Sequence, residues 1–223
     1  MAKARDVRAE QRGASVGEAL VRAGQTLFSE HPVDAVAIDD IVGEAQVAKG
    51  SFYKHFPDKE TLLATVVGRI RDRIERQVTA ANERVEDPAR RVARAICVYL
   101  RFVADEPEQG GVLVRNDRSG RTLPSLELNH GTVEDVRAGL AAGRFSVPTA
   151  EAGVLFILGV GHAGLTRFVG QQGAASNTWI AQQLCQLTLR GLGLSLSEAE
   201  LIAAQAAEEI IRAPVAFAKD EDD

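Results

Sequence analysis

The stretch AIDDIVGEAQVAKGSFYKHFPDK, Ala37 to Lys59, decides the reading of this chain. Ile38, Ile41 and Val42 recur at helical spacing and predict a short amphipathic helix from Ile38 to Ala45. Gln46-Val47 breaks that pattern, with Val47 as the apolar plug of a tight turn. A second helix, Ala48 to Phe56, follows at once and is stopped by Pro57. Phe52 and Phe56 can anchor it to its neighbours, which leaves Lys49, Ser51, Tyr53, Lys54 and His55 for the other face. A helix entering a DNA major groove needs this chemistry: donors for phosphate oxygens and short polar groups for base edges.

Outward from this pair of helices the chain continues in helical periods. Val16, Leu20, Ala23 and Leu27 place one stripe on a first helix from about Ala14 to Glu30, after a polar arm over residues 1–13. Asp58 is placed to cap a fourth helix, Lys59 to about Val85, striped by Leu63, Val66 or Val67, Ile70 and Ile74. Asp87-Pro88 opens a fifth, whose stripe Val92, Ile96, Leu100 and Val103 ends near Glu106. Residues 108–121 are poorly periodic, and a short helix with loops is expected there. Further helices are expected over Leu123–Ala142, Ala150–Gln171 and from Ser176 or Asn177 to about Leu192. Ser197-Glu198-Ala199-Glu200 is taken as the capping box of a last helix ending near Arg212, before an acidic tail. No alternating Val, Ile, Thr and Tyr run suggests a strand, so the fold class is all-α.

Val16 to Val67 resembles the DNA-binding domain of the TetR (tetracycline-repressor-like) family of bacterial transcriptional regulators. The resemblance rests on LFSEHPVDAVAIDDIV, on AQVAKGSFYKHF and on PDKETLL, with Gly50, Tyr53, Phe56, Lys59, Leu62 and Leu63 in register. It implies an N-terminal three-helix helix-turn-helix domain with its arm (1–67), a helical effector-binding and dimerisation domain (68–213) and the tail (214–223). It also implies a homodimer on an inverted-repeat operator in double-stranded DNA. Such a protein is a repressor released by a small, largely apolar effector. Tyr53 and Lys54 should then contact phosphates, with Lys49, Ser51 and His55 near base edges or backbone. Lys59, with the amide end of the fourth helix, should hold a further phosphate, and Gly50 and Arg12 complete the DNA-binding set. Tyr99, Arg115, Asn116, Asn129, His130, His162 and Thr166 are the polar groups expected around an effector pocket. The last two long helices, rich in Gly153, Gly159 and Gly164, are expected to form the four-helix bundle of the dimer. Three positions depart from the family pattern. Gln46 stands where the turn usually has Gly, and Ala37 and Ala48 stand where Ser or Thr often caps the two helices. A lost cap costs about 1 kcal/mol.

Composition limits the alternatives. The 223 residues carry 26 Lys and Arg against 31 Asp and Glu, a net charge of −5, so DNA contact has to come from a local patch. Two places supply one: Lys3, Arg5, Arg8 and Arg12 in the arm, and Lys49, Lys54, His55 and Lys59 around the second helix. Cys97 and Cys185 lack metal-ligand spacing and are expected as buried reduced thiols. Glu127, His130 and Glu134 share a helical face, but no Cys or second His stands near, so no metal is assigned. No cofactor is expected either. Nucleophile elbow, phosphate-cradling Gly loop and HExxH are absent, and Gly159 to Gly164 follows no strand, so an enzyme is not expected. Without an apolar leader or a membrane-length apolar run, a cytoplasmic protein is expected.

Overall fold

The computed structural model describes residues 2–116, 129–169 and 174–212, with side chains outside 2–14 and 174–176. Every regular element among the described residues is helical. The elements are α1 (Ala2–Glu30), α2 (Ile38–Glu44), α3 (Lys49–His55), α4 (Lys59–Asn82), α5 (Pro88–Asp105) and α6 (Pro107–Arg115). They continue with α7 (His130–Ala141), α8 (Ala150–Phe168), α9 (Ala174–Gly191) and α10 (Leu196–Ala207). A 3-10 turn, Val33–Ala35, precedes α2, and a π-helical turn, Glu208–Arg212, ends the described chain. The helix of α1 begins at Ala2, not near Ala14, so the arm is its first turns. The tail beyond Arg212 and the stretch Leu123–Leu128 lie outside the described residues.

The chain divides into two compact units, one of Met1–Ile70 with Glu108–Thr122 and the other of Arg71–Pro107 with Leu123–Asp223. The expected single boundary at Val67 is therefore crossed a second time, because α6 returns to the first unit. In that unit Leu20, Phe28, Ile41, Phe52 and Leu62 are fully buried. Asn116, just past α6, is buried, and its side chain is held from both ends. Its Oδ1 accepts from Val33 N at 2.8 Å, and its Nδ2 donates to Phe28 O at 3.0 Å and Val112 O at 3.1 Å. Arg115 donates from Nε to Ser29 O. Gly111 admits this docking: a Cβ there would stand 2.8 Å from Ser29 O. On the exposed side Glu18 and Arg69 pair twice, at 2.5 and 2.6 Å, and that hydrogen bonding holds the Glu18 carboxyl below its ordinary range.

In the second unit α5 is the central helix. Val92, Ala93, Ile96, Cys97, Leu100 and Val103 are all buried on it, and it packs against α7, α8, α9 and α10. Asp87 caps it as expected, accepting from Ala89 N at 3.2 Å, with Pro88 at the first helical position. The same carboxylate takes a two-pronged bond from Arg144, at 2.9 and 3.0 Å, while Arg144 also reaches Glu198 at 2.7 Å. The cap of α10 is Ser195, not Ser197: its hydroxyl accepts from Glu198 N. The pattern Ser-x-x-Glu begins two residues earlier than the one chosen from the sequence. Cys97 and Cys185 are free and buried, with sulfurs 3.6 Å apart.

Gln46 is the one described non-glycine residue at positive φ (55°). An L residue in this left-handed region carries a local steric cost of about 1 kcal/mol, which glycine avoids. Gln46→Gly is expected to stabilise the first unit by at most about 0.6 kcal/mol after the added entropy of the unfolded chain, about 0.4–1 kcal/mol, is subtracted. Urea denaturation checks this through a higher midpoint at unchanged slope.

Candidate nucleic-acid interface

The helix pair is set by buried apolar side chains and by compensated caps. Ile41 and Val42 of α2 and Phe52 of α3 face inward, and Phe56 closes the pair at the end of α3. Ala37 cannot cap α2 by its side chain, and Asp40 supplies the reciprocal half of the capping box by accepting Ala37 N at 3.0 Å. Across the turn Val47 N donates to Val42 O at 3.0 Å. Ala48 leaves α3 without a side-chain cap.

With Phe52 inward, geometry forces the rest of α3 outward. Lys49, Gly50, Tyr53, Lys54 and His55 are exposed and Ser51 is half-buried. Tyr53 keeps 54% of its surface exposed while its ring meets Phe52 edge-on at 5.5 Å, which steadies it and leaves the phenol outside. His55 lies over Gly17 of α1, where a Cβ would come 3.4 Å from Nδ1. A Cβ on Gly50 would meet nothing within 4 Å, so the fold itself does not require glycine there. Its small size matters only to something that approaches from outside.

Two of the lysines are already engaged within the protein. Lys49 Nζ pairs with Asp39 Oδ1 at 2.7 Å, and this hydrogen bond raises the lysine's pKa. Lys59 Nζ donates to Val36 O at 2.9 Å and Asp34 O at 3.4 Å, which ties the start of α4 to the loop before α2. The first turn of α4 is likewise occupied: Asp58 Oδ1 accepts both Thr61 N and Thr61 Oγ1 at 2.7 Å. The expected phosphate seat at Lys59 thus shares its lysine and one of its amides with the chain's own groups, and Lys59 also tethers the motif. Asp39 escaped the sequence reading; its signal was an acid at the start of α2 paired with a base at the start of α3. The side chain of Arg12 lies outside the described residues.

The polar groups expected around an effector separate. Tyr99, Asn129, His130, His162 and Thr166 stand in the second unit, whereas Arg115 and Asn116 stand in the first and hold α6. Glu127 of the weighed metal set lies outside the described residues, and no group of three metal-binding side chains occurs among those described. No helix among the described residues is long and apolar enough to cross a membrane.

Comparison with known proteins agrees with this layout. Residues 20–66 match the family profile described as bacterial regulatory proteins, tetR family, and residues 87–205 match the tetracyclin repressor-like C-terminal domain. The HTH-type transcriptional repressor BepR of Brucella suis biovar 1 (strain 1330) is 25% identical over 196 residues, covering 86% of this chain and 83% of that protein. Among solved structures, RolR in complex with resorcinol superposes with a TM-score of 0.68 at 23% identity, covering 87% of this chain and 96% of that one. The fatty acid degradation regulator FadR from Bacillus halodurans superposes with a TM-score of 0.65 at 16% identity, covering 80% and 97%. At these identities the structural likeness shows the shared fold.

Proposed function

The chain belongs to the tetR family of bacterial regulatory proteins, and from that premise we propose that it is a homodimeric repressor whose operator is an inverted repeat. The family is one of transcription regulators and not of enzymes. The observation that carries the reading is the outward face of α3, where Tyr53, Lys54, His55 and the bare backbone at Gly50 stand together, all exposed. Tyr53 and Lys54 take phosphates, Gly50 allows close approach, and Ser51 and His55 lie nearest the base edges. Lys49 reaches the DNA only by exchanging Asp39 for a phosphate.

The dimer is supported by the faces of α8 and α9 that the chain leaves uncovered. On α8, Leu155 (55% exposed), Gly159 and Ala163 recur every four residues; on α9, Trp179 (60%) and Leu187 (61%) do the same across two turns. The glycines of α8 divide: a Cβ on Gly164 would strike Leu100 at 2.7 Å, so it serves packing inside the subunit, while one on Gly159 would meet nothing within 4 Å. An apolar stripe with a glycine at its centre suits a second copy of itself about a twofold axis. Two recognition helices then enter successive major grooves. The effector, a small and mostly apolar molecule, binds in the second unit, and α4, continuous between the units, carries its effect to the DNA-binding helices.

Leu187→Glu is expected to convert the dimer to monomer in analytical ultracentrifugation, with operator affinity lower by about a hundredfold, the scale of a central interface residue. Trp179, the single tryptophan, is expected to shift its emission to the red in the same variant. A Leu187→Glu protein that stays dimeric removes α9 from the interface.

A further inference from the structure

The two acids in the first turn of α2 do different work. Asp40 is spent on the backbone, where it accepts Ala37 N at 3.0 Å. Asp39 reaches across the motif to the first residue of α3: its Oδ1 lies 2.7 Å from Lys49 Nζ, with the two side chains 71% and 53% exposed. It caps neither helix, since α2 is closed through Asp40 and α3 has no side-chain cap. Ion pairs this exposed contribute little to stability, so the fold gains little from this one. Its position has another consequence. Lys49 belongs to the outward face of α3 with Tyr53, Lys54 and His55, and Asp39 cancels its charge on the surface that meets DNA in the proposed complex.

A cation paired in this way adds nothing to the long-range attraction between a protein and a polyanion. Duplex held loosely, by counterion release alone, therefore draws no benefit from Lys49. A phosphate seated at hydrogen-bond distance is another matter. Charge-assisted bonds to phosphate are strong, and an exposed carboxylate gives up its partner at small cost. We infer that Asp39 is a specificity-determining residue: it withholds Lys49 from non-specific duplex and yields it only when α3 is seated in the operator groove. The inference rests on the reading of α3 as the recognition helix and adds to it a device that widens the gap between right and wrong DNA.

Salt dependence separates the two states of Lys49, because each phosphate neutralised adds about 0.9 to the slope of log affinity against log salt. The probes are a duplex that the wild-type protein selects from a random pool and a shuffled duplex of the same composition, both read by fluorescence anisotropy with the full-length protein. On the shuffled duplex Asp39→Asn is expected to steepen the slope by about 1.8, one freed lysine per subunit of the proposed dimer, and to bind at least about tenfold more tightly at about 0.1 M salt. On the selected duplex its slope should stay at the wild-type value, because Lys49 is already on a phosphate there. Asp39→Asn combined with Lys49→Ala removes both charges. That variant should match wild type on the shuffled duplex and lose about 1.8 of slope on the selected one. If wild type prefers the selected duplex but Asp39→Asn changes the two slopes equally, or changes neither, the inference is overturned and the recognition helix stands. A wild-type protein that prefers no duplex in the pool overturns both.

Discussion

Tyr53→Ala combined with Lys54→Ala is expected to abolish operator binding. In the proposed complex each side chain supplies one charge-assisted or hydroxyl contact to a phosphate, worth about 1.5–3 kcal/mol, and the proposed dimer would lose each contact twice. The sum exceeds about 6 kcal/mol, or four orders of magnitude in affinity. In fluorescence anisotropy on a labelled duplex from the upstream intergenic DNA, the variant should show no binding at wild-type concentrations. Lys54→Ala alone should reduce the slope of log affinity against log salt by about 1.8, one phosphate per half-site. The fold should tolerate both changes: the two side chains are exposed, and the aromatic contact of Tyr53 is with the edge of Phe52. Thermal unfolding and dimer mass therefore stay at wild-type values. Phe52→Ala is the contrasting control. It empties a fully buried site at a cost of about 3–5 kcal/mol and loses DNA binding through loss of the domain. Unaltered anisotropy in the double variant would place the recognition surface elsewhere.

What could be read from the sequence was local. Ile41, Phe52 and Phe56 sit at the right period to be buried, and Asp58 and Asp87 stand where caps stand. These features depend on neighbours a few residues away. What could not be read was set by partners distant in the chain. Lys59 looks like any exposed cation until the carbonyls of Asp34 and Val36 arrive beside it. Lys49 has the same history with Asp39. Gln46 hides its strain, because nothing in a glutamine announces a positive φ; only its place between two short helices suggests it. The uncovered stripe of α8 was visible as glycines, but which of them face the subunit and which face outward depended on Leu100 of α5. Residues 108–116 gave the weakest pattern of all because their periodicity is satisfied by α1, more than eighty positions earlier in the chain.

That docking carries the second large effect. Asn116→Ala strands the amide of Val33 and the carbonyl of Phe28, both served by the buried Asn116 side chain. Each stranded buried group costs about 1–3 kcal/mol, so a loss of about 3 kcal/mol is expected for the first unit. Gly111→Ala reaches the same end by another route. Its methyl would meet the backbone carbonyl of Ser29, which cannot rotate away as a side chain could, so α6 must lift from α1 at a cost of about 2–3 kcal/mol. Because both changes release one helix from one surface, the double variant should lose less than the sum of the two, a coupling that urea denaturation of the four proteins measures directly. Strict additivity would mean that the two residues hold separate contacts. Both variants should keep the proposed dimer, since α8 and α9, its proposed faces, are untouched.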